Sequence, residues 1–414
     1  MDGSDSEVKQ LQPPTHLLQD YIEIACYSAV LCFGLPLNSC VFYRQLTDYC
    51  LPARSLKSRQ KRERDANKAF LLHKLHLNMA NLLVLLLHCT AKIGWLTSYR
   101  WLAGEVLCKF FNFVWMLSFV ASSNIVVTIA LDRFETVQQL ENIQRGKPNS
   151  ILSSGQFAIK RVKRKLLLSW LCAIVFSLPQ WWVWVTVQWH PYDWEPCVTR
   201  WQKWTFLSQL GEAATPPPAT PSLHSMEMVY LIFHLLTVFW LPFCVICTCY
   251  ILIVCKLLRF PCVPSVQMIA QRKNADMPSP LESMVNCDGT THRVSNPTAN
   301  WHFKSDWRRT MKSRMFRTAG LIVLAYLLCW LPYNALSLII FVDLDLAGRL
   351  SDKVNWCNQL ILLNVVINPF LYGFLGGTDG DTCCQKLQVW LRRHLSSGFR
   401  RQYSPRETMN AVAL

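Results

Sequence analysis

The stretch LLNVVINPFLYGF, residues 362–374, is apolar enough for the interior of a lipid bilayer, yet it holds Asn364, Asn368, Pro369 and Tyr372. An amide placed in hydrocarbon is costly unless it finds partners or faces a wet cavity, so polar groups at such depth mark function. Pro369 removes a backbone donor and crowds a carbonyl, which kinks a helix. The segment reads as a bent membrane helix whose polar residues face other helices.

The rest of the 414-residue chain shares this character. Hydrophobic residues make up 51% and charged residues only 16%, against the roughly one quarter usual in soluble domains. Seven runs approach the roughly 20 mostly apolar residues that cross hydrocarbon. They are Tyr21–Tyr43, Leu75–Trp95, Leu107–Leu131, Leu166–Val185, Met228–Leu258, Phe316–Val342 and Val354–Leu375. The fold class is an all-α membrane protein, a seven-helix bundle over residues 21–375. It lies between an N-terminal segment, 1–20, and a tail, 376–414.

Basic residues orient the bundle. The connections 44–74, 133–165 and 256–317, with the tail, carry 34 of the 42 Lys and Arg residues. By the positive-inside rule these are cytoplasmic and the N-terminus is extracellular, as in a multi-pass plasma-membrane protein. The net charge of +16 then reflects topology and attraction to anionic membrane lipid. Nucleic acid is not an expected partner, because no basic stretch lies in a soluble domain. The first 20 residues hold no cleavable signal pattern, so the first span is expected to act as a signal anchor. No Asn-x-Ser/Thr acceptor occurs, since Asn296 is followed by Pro297.

The 18 cysteines are scattered and not spaced as zinc sites, and neither metal nor cofactor is expected. Most fall in spans or inner connections, where thiols stay reduced. Cys108, at the outer end of span three, and Cys197, in the second outer loop, are the oxidisable pair. Cys26 and Cys357 are candidates for a second bridge.

Long inner loops are expected at 44–74 and 259–312, the latter with a polar, breaker-rich centre. The outer segment GEAATPPPATPSLHS, 211–225, reads as a Pro-rich tether without regular structure. Beyond span seven, CCQKLQVWLRRHL (383–395) places Leu387, Trp390, Leu391 and Leu395 on one face, as in a helix lying on the inner membrane surface. Cys383 and Cys384 are palmitoylation candidates there, with plain membrane-facing thiols as the alternative.

Polar and proline residues recur in the other spans. Asn38 lies in GLPLN, Asn81 in LHLNMANLL, and Asp132-Arg133 in ALDRF at the end of span three. Span five has LPFCVICTCY with Pro242 and Tyr250, and span six has CWLPY, 329–333. Taken singly each is ordinary, because neighbouring helices satisfy freed backbone groups. In this order they resemble the rhodopsin-like family of G-protein-coupled receptors across all seven spans. ALDRF is similar to the family's Asp-Arg-Tyr box, CWLPY to its CWxP motif and NPFLY to its NPxxY motif. A finer likeness lies in WLAGEVLCK (101–109), CVT (197–199) and GRLSDKVN (348–355). These resemble the gonadotropin-releasing hormone receptor group, which includes adipokinetic-hormone and corazonin receptors.

The resemblance implies a receptor that responds to an extracellular peptide hormone and couples to heterotrimeric G proteins, with the phospholipase C branch suggested. Trp330, above Pro332, becomes a packing sensor and Pro369 a hinge. Asn38, Asn81, Ser122, Asn364 and Asn368 form its polar core, while Tyr250 and Tyr372 swing toward Arg133 on activation. Arg133 pairs with Asp132 at rest; a snorkelling arginine at a helix end is the competing reading. Asn81 stands where most of the family has Asp. With Asn368 also neutral, little sodium modulation is expected. In the ligand pocket Asp352 matches an acid that recognises a basic ligand group. Trp95 and Tyr333 match contact positions, with Asn334 on the same face. Lys92 and Trp115 do not match: Lys92 replaces an acid and Trp115 a lysine. Ser396, Ser397, Ser404 and Thr408 are candidate phosphorylation sites for arrestin.

Other classes fit less well. No P-loop, GxSxG or HExxH motif occurs, so an enzyme is not expected. A transporter should show repeats or paired broken helices. The nearest rival is an orphan or non-coupling receptor of the same fold.

Overall fold

The computed structural model describes residues 16–50, 58–144, 155–188, 194–209, 220–258, 314–342, 357 and 359–371. The first span is α1 (Leu18–Cys50). Its start is capped by Asp20, whose Oδ2 accepts the Leu17 N–H at 2.7 Å, the backward half of a capping box. The second span is α2 (Ser58–Leu83), a π-helical turn (Val84–Cys89) and α3 (Thr90–Ser98). It ends where Tyr99 turns into the left-handed region at φ 51°. The long α4 (Gly104–Gln144) is the third span and α5 (Gly155–Ser177) the fourth.

After α5, a short α6 (Gln180–Val183) leads into a hairpin of β1 (Trp184–Thr186) and β2 (Cys197–Thr199), paired antiparallel with Val185 opposite Val198. Next come α7 (Arg200–Gln209), then α8 (Thr220–Leu235), a second π-turn (Leu236–Trp240) and α9 (Leu241–Leu258), which form the fifth span. The sixth is α10 (Arg314–Val342), with Pro332 inside it. A shorter apolar helix, α11 (Gln359–Leu371), represents the seventh. Among the described residues six helices are long and apolar enough to cross a membrane.

The third span is the axis of the bundle, since α4 packs against α2, α5, α9 and α10. Its Met116, Ile125 and Ile129 are buried with Leu77, Leu85, Phe239, Tyr326 and Trp330 from the surrounding helices. The outward faces are as apolar as the core, with Phe33, Leu168, Val229 and Leu328 exposed. That inversion suits lipid, where helices satisfy their own backbone groups. At Gly34 a Cβ would stand 3.0 Å from Leu85 Cδ2 and 3.4 Å from Val366 Cγ2, so its absence lets α1 approach the π-turn and α11 closely.

Several expected boundaries move. The fourth span does not reach Val185: α5 stops at Ser177, Pro179 intervenes, and Val185 belongs to the hairpin. Apolarity continues there because the hairpin packs inward on α4, and a hydropathy run does not distinguish the two. The supposed loop 44–74 is mostly helix, because α1 runs to Cys50 and α2 begins at Ser58. Lys, Arg, Gln and Ala favour helix strongly, so charge marks the edge of the lipid and not the end of the helix. Residues 220–225 of the expected tether are helical. The inner segment 259–312 and the tail lie outside the described residues.

Candidate functional site

The disulfide Cys108–Cys197 joins the start of α4 to β2, as the topology predicts. Asn112, one turn along α4, donates to the Cys108 carbonyl at 2.8 Å and approaches Cys197 Sγ at 3.5 Å. Trp101 N–H donates to the Glu195 carbonyl at 2.7 Å, and Trp194 Nε1 donates to the Tyr99 carbonyl at 2.7 Å. The hairpin is thereby fixed over this end of the bundle. Cys26 and Cys357 are both free, so the second bridge is not formed.

Below the hairpin lies a wall of rings. Trp115 on α4 stacks on His88 of the first π-turn, with centroids 5.4 Å apart and planes at 13°. Trp115 also lies 6.1 Å from His234 at the end of α8. Gln180 exchanges hydrogen bonds with the Tyr230 hydroxyl at 2.8 and 3.0 Å and accepts Trp184 Nε1–H at 2.7 Å. Lys92 lies four residues after His88. Trp95 meets Tyr99 edge-on at 6.1 Å. Tyr333 is half-buried, and Asn334 is buried with its Nδ2 donating to the Trp330 carbonyl at 2.8 Å. Asp352 lies outside the described residues.

The wall continues downward without a gap. Phe119, one turn below Trp115, lies 5.9 Å from it and 5.1 Å from Trp330, each time edge-on. Trp330 is 2% exposed and packs on Tyr326 at 5.5 Å. The Tyr326 hydroxyl lies 3.0 Å from Ser123 Oγ and 3.3 Å from the Val238 carbonyl, which sits in the second π-turn. A π-turn adds a residue and displaces the regular ladder, leaving carbonyls for side chains to take. Thr90 and Thr237 hydroxyls take others, donating to Leu86 O at 2.6 Å and Phe233 O at 2.8 Å.

At mid-depth the expected polar residues are all buried, but only some are joined. Asn38 Nδ2 donates to Val365 O at 3.1 Å, and Asn78 Nδ2 donates to Asn38 O at 3.1 Å, tying α1, α2 and α11 together. Asn81, Ser122, Asn364 and Asn368 are at most 4% exposed. Asn368 makes no hydrogen bond through either side-chain atom, nor does Asn81 through Nδ2 or Asn364 through Oδ1. On α4 the Ser123 hydroxyl meets Tyr326, while the Ser118 and Thr128 hydroxyls donate to carbonyls of their own helix.

At the far end of α4, Arg133 pairs with the Asp132 carboxylate and lies over the Phe70 ring at 5.0 Å. At 4% exposure it is buried, which removes the snorkelling reading. The Tyr250 hydroxyl is buried and unpartnered. Three further ion pairs brace this end. Glu135 holds Arg161 at 3.0 Å and Lys165 at 2.6 Å on α5, and Glu141 pairs with Lys256 on α9. Pro369 is buried in α11, while Tyr372, Cys383 and Cys384 lie outside the described residues.

Sequence reasoning missed His88, Phe119, His234, Tyr326 and Glu141. Their signals existed: two histidines within apolar spans, and aromatic residues Trp115, Phe119, Tyr326 and Trp330 at helical spacing. Only the fold shows that these two helices face each other.

Comparison with known proteins agrees with this arrangement. The profile of the 7 transmembrane receptor (rhodopsin family) matches residues 55–372. The G-protein coupled receptor daf-38 of Caenorhabditis elegans is 30% identical, over 88% of this chain and 91% of its own. The vasopressin V1b receptor of Homo sapiens is 26% identical, over 79% and 71%. The gonadotropin-releasing hormone receptor of Bos mutus grunniens is 25% identical, over 79% and 83%. With the helices, the disulfide and the family motifs in place, the chain is a multi-pass membrane receptor and not an enzyme, and it belongs to the rhodopsin family of seven-transmembrane receptors.

Proposed function

We propose that this receptor recognises an extracellular peptide hormone of the gonadotropin-releasing-hormone-like kind at its disulfide end and signals to a heterotrimeric G protein at its Arg133 end. The observation that carries the reading is the packed path from Trp115 through Phe119 and Trp330 to Tyr326. A ligand that moves Trp115 has a direct mechanical route to α10, because close-packed side chains transmit displacement. Relatives named as vasopressin and gonadotropin-releasing hormone receptors support a peptide ligand.

In this reading the N-terminus is extracellular and the receptor sits in the plasma membrane. Asp352, Trp95, Tyr333 and Asn334 meet the peptide. Arg133 leaves Asp132 on activation and faces the G protein, with the phospholipase C branch as the downstream route. Asn38, Asn81, Ser122, Asn364 and Asn368 line the hinge at Pro369, and Tyr250 and Tyr372 close inward. The tail supplies hydroxyls for arrestin and, at Cys383 and Cys384, sites for acylation.

Intracellular calcium in cells expressing the chain tests this reading. The challenge is a panel of amidated gonadotropin-releasing-hormone-like, adipokinetic-hormone-like and corazonin-like peptides, with Arg133→Ala as control. A response to one peptide that the control loses is the expected result. Silence across the panel and in nucleotide-exchange assays with other G proteins, at confirmed surface expression, overturns it in favour of a non-coupling receptor.

A further inference from the structure

The fourth span begins with a cluster of positive charge. Lys160, Arg161, Lys163, Arg164 and Lys165 all lie in the first half of α5, and the helix contains no acidic residue. Its geometry sorts the five. Arg161 and Lys165 reach Glu135 of α4, at 3.0 and 2.6 Å. Lys160, Lys163 and Arg164 are exposed.

Steps of three and four residues keep to one face of an α-helix. From Lys160 such steps lead through Lys163 and Arg164 to Leu167, Leu171 and Ile174, which are 60%, 50% and 41% exposed. Val162, Leu166 and Ala173, on the opposite side, are at most 1% exposed. An apolar helix face that the bundle leaves bare is the face turned to hydrocarbon. The three cations prolong that same face toward the headgroup layer, where long basic side chains place their charge while their stems cover apolar surface. Like charges three and four residues apart on a helix repel one another. An anion that reaches all of them relieves that repulsion.

We propose that Lys160, Lys163 and Arg164 form a site for a membrane lipid whose headgroup carries clustered phosphates, with its acyl chains lying along Leu167, Leu171 and Ile174. The three positions span about 6 Å of helix axis, so one multiply phosphorylated headgroup meets them together, whereas a singly charged headgroup meets one. The arginine grips phosphate oxygens in pairs and the lysines act as point charges. Diffuse attraction between a basic surface and anionic lipid depends on total charge. This site depends on how the charge is grouped within one headgroup. Its place in the inner leaflet rests on the reading above that the Arg133 end is cytoplasmic; its existence rests on neither the hormone nor coupling.

The test is thermal unfolding of the purified full-length receptor in lipid nanodiscs. Three compositions are compared: phosphatidylcholine alone, with phosphatidylserine, and with phosphatidylinositol 4,5-bisphosphate, the last two matched in total negative charge. A lipid that binds only the folded state raises the Tm through mass action, and the expected rise with the phosphoinositide is about 2–4 °C. Phosphatidylserine should give a clearly smaller one. The rise is lost when Lys160, Lys163 and Arg164 are all replaced by glutamine, and retained in Lys160→Arg with Lys163→Arg. All three side chains are exposed, so each variant should match the wild-type Tm in phosphatidylcholine alone.

Equal rises with the two anionic lipids overturn the proposal in favour of diffuse attraction. No rise with the phosphoinositide overturns it too, as does an undiminished rise in the glutamine variant. Soluble inositol 1,4,5-trisphosphate that stabilises as well as the lipid would assign the cations to a cytosolic phosphate ligand instead. A glutamine variant that loses nucleotide exchange in phosphatidylcholine alone, with no lipid-dependent Tm in the wild type, would assign the face to the G protein. Nanodiscs offer the lipid at both ends of the receptor and unfolding needs no hormone. A receptor that is silent in calcium assays or inverted in the membrane, yet stabilised by the phosphoinositide, therefore fails the functional reading alone.

Discussion

The Phe119 ring meets the Trp330 indole edge-on, with centroids 5.1 Å apart and planes at 90°. Such a pair stabilises by about 0.5–1.5 kcal/mol beyond the area it buries, and here it joins the third and sixth spans at the floor of the ligand end. Replacing Phe119 with leucine keeps an apolar side chain of similar bulk but removes the ring edge. Agonist binding should change little, because Phe119 lies below Trp115, whereas agonist-stimulated nucleotide exchange should fall several-fold. Radioligand binding and GTPγS exchange on the same membranes check this, and parallel losses in both would sink the coupling role.

Tyr326 makes the next link. Its hydroxyl lies between Ser123 Oγ and the Val238 carbonyl, at 3.0 and 3.3 Å. Tyr326→Phe removes both contacts and leaves a π-turn carbonyl without its side-chain donor. The cost in stability is about 1–3 kcal/mol, the range for a buried group left unsatisfied. If the bond holds the resting packing of α10 against α4 and α9, basal nucleotide exchange rises as well. A variant that unfolds at the wild-type temperature would show that water replaces the hydroxyl.

How much of this was legible before folding depends on the kind of residue. Asn38, Arg133 and Trp330 announced themselves, because a polar, charged or very large side chain in hydrocarbon has few tolerable environments. The long loop at 44–74 misled, since positive charge reports the membrane boundary and says nothing about whether α1 continues to Cys50. The Ser123 bond to Tyr326 was not legible because a residue's depth can be counted along a helix more surely than its azimuth, and adjacent residues point about 100° apart. Phe119 and Tyr326 were invisible as a pair because they lie on different helices and an aromatic residue in a span is ordinary. The π-turns had no readable signal in sequence, although they set the facing of Lys92 and Leu241 and of everything beyond them.

The neutral mid-depth core carries a prediction about ions. Asn81 and Asn368 are each 1% exposed and neither brings a carboxylate. A sodium ion would meet amide dipoles alone, which do not repay its dehydration. Agonist affinity should be the same in sodium chloride and in an equal concentration of potassium chloride. In Asn81→Asp, sodium should lower agonist affinity. A sodium effect in the wild-type receptor, or none in the variant, would show that this depth does not govern the response.

The last prediction concerns the ion pairs around Arg133. Glu141 on α4 and Lys256 on α9 are paired with side-chain exposures of 11% and 21%, and Lys256 also lies over the Phe134 ring at 5.6 Å. The bond joins α4 to α9, and it lies two turns beyond the Asp132–Arg133 pair. Hydrogen bonds to charged groups contribute about 1.5–3 kcal/mol when shielded. Glu141→Gln keeps the shape and the acceptor but removes the charge, so it should release only part of that. A shift of about 1.4 kcal/mol between two packings is tenfold in their ratio. If the pair favours the resting packing, basal nucleotide exchange in Glu141→Gln rises several-fold and high salt mimics the change in the wild type. Charge reversal of both partners, Glu141→Lys with Lys256→Glu, should restore the wild-type rate, which a purely local packing role for either residue would not.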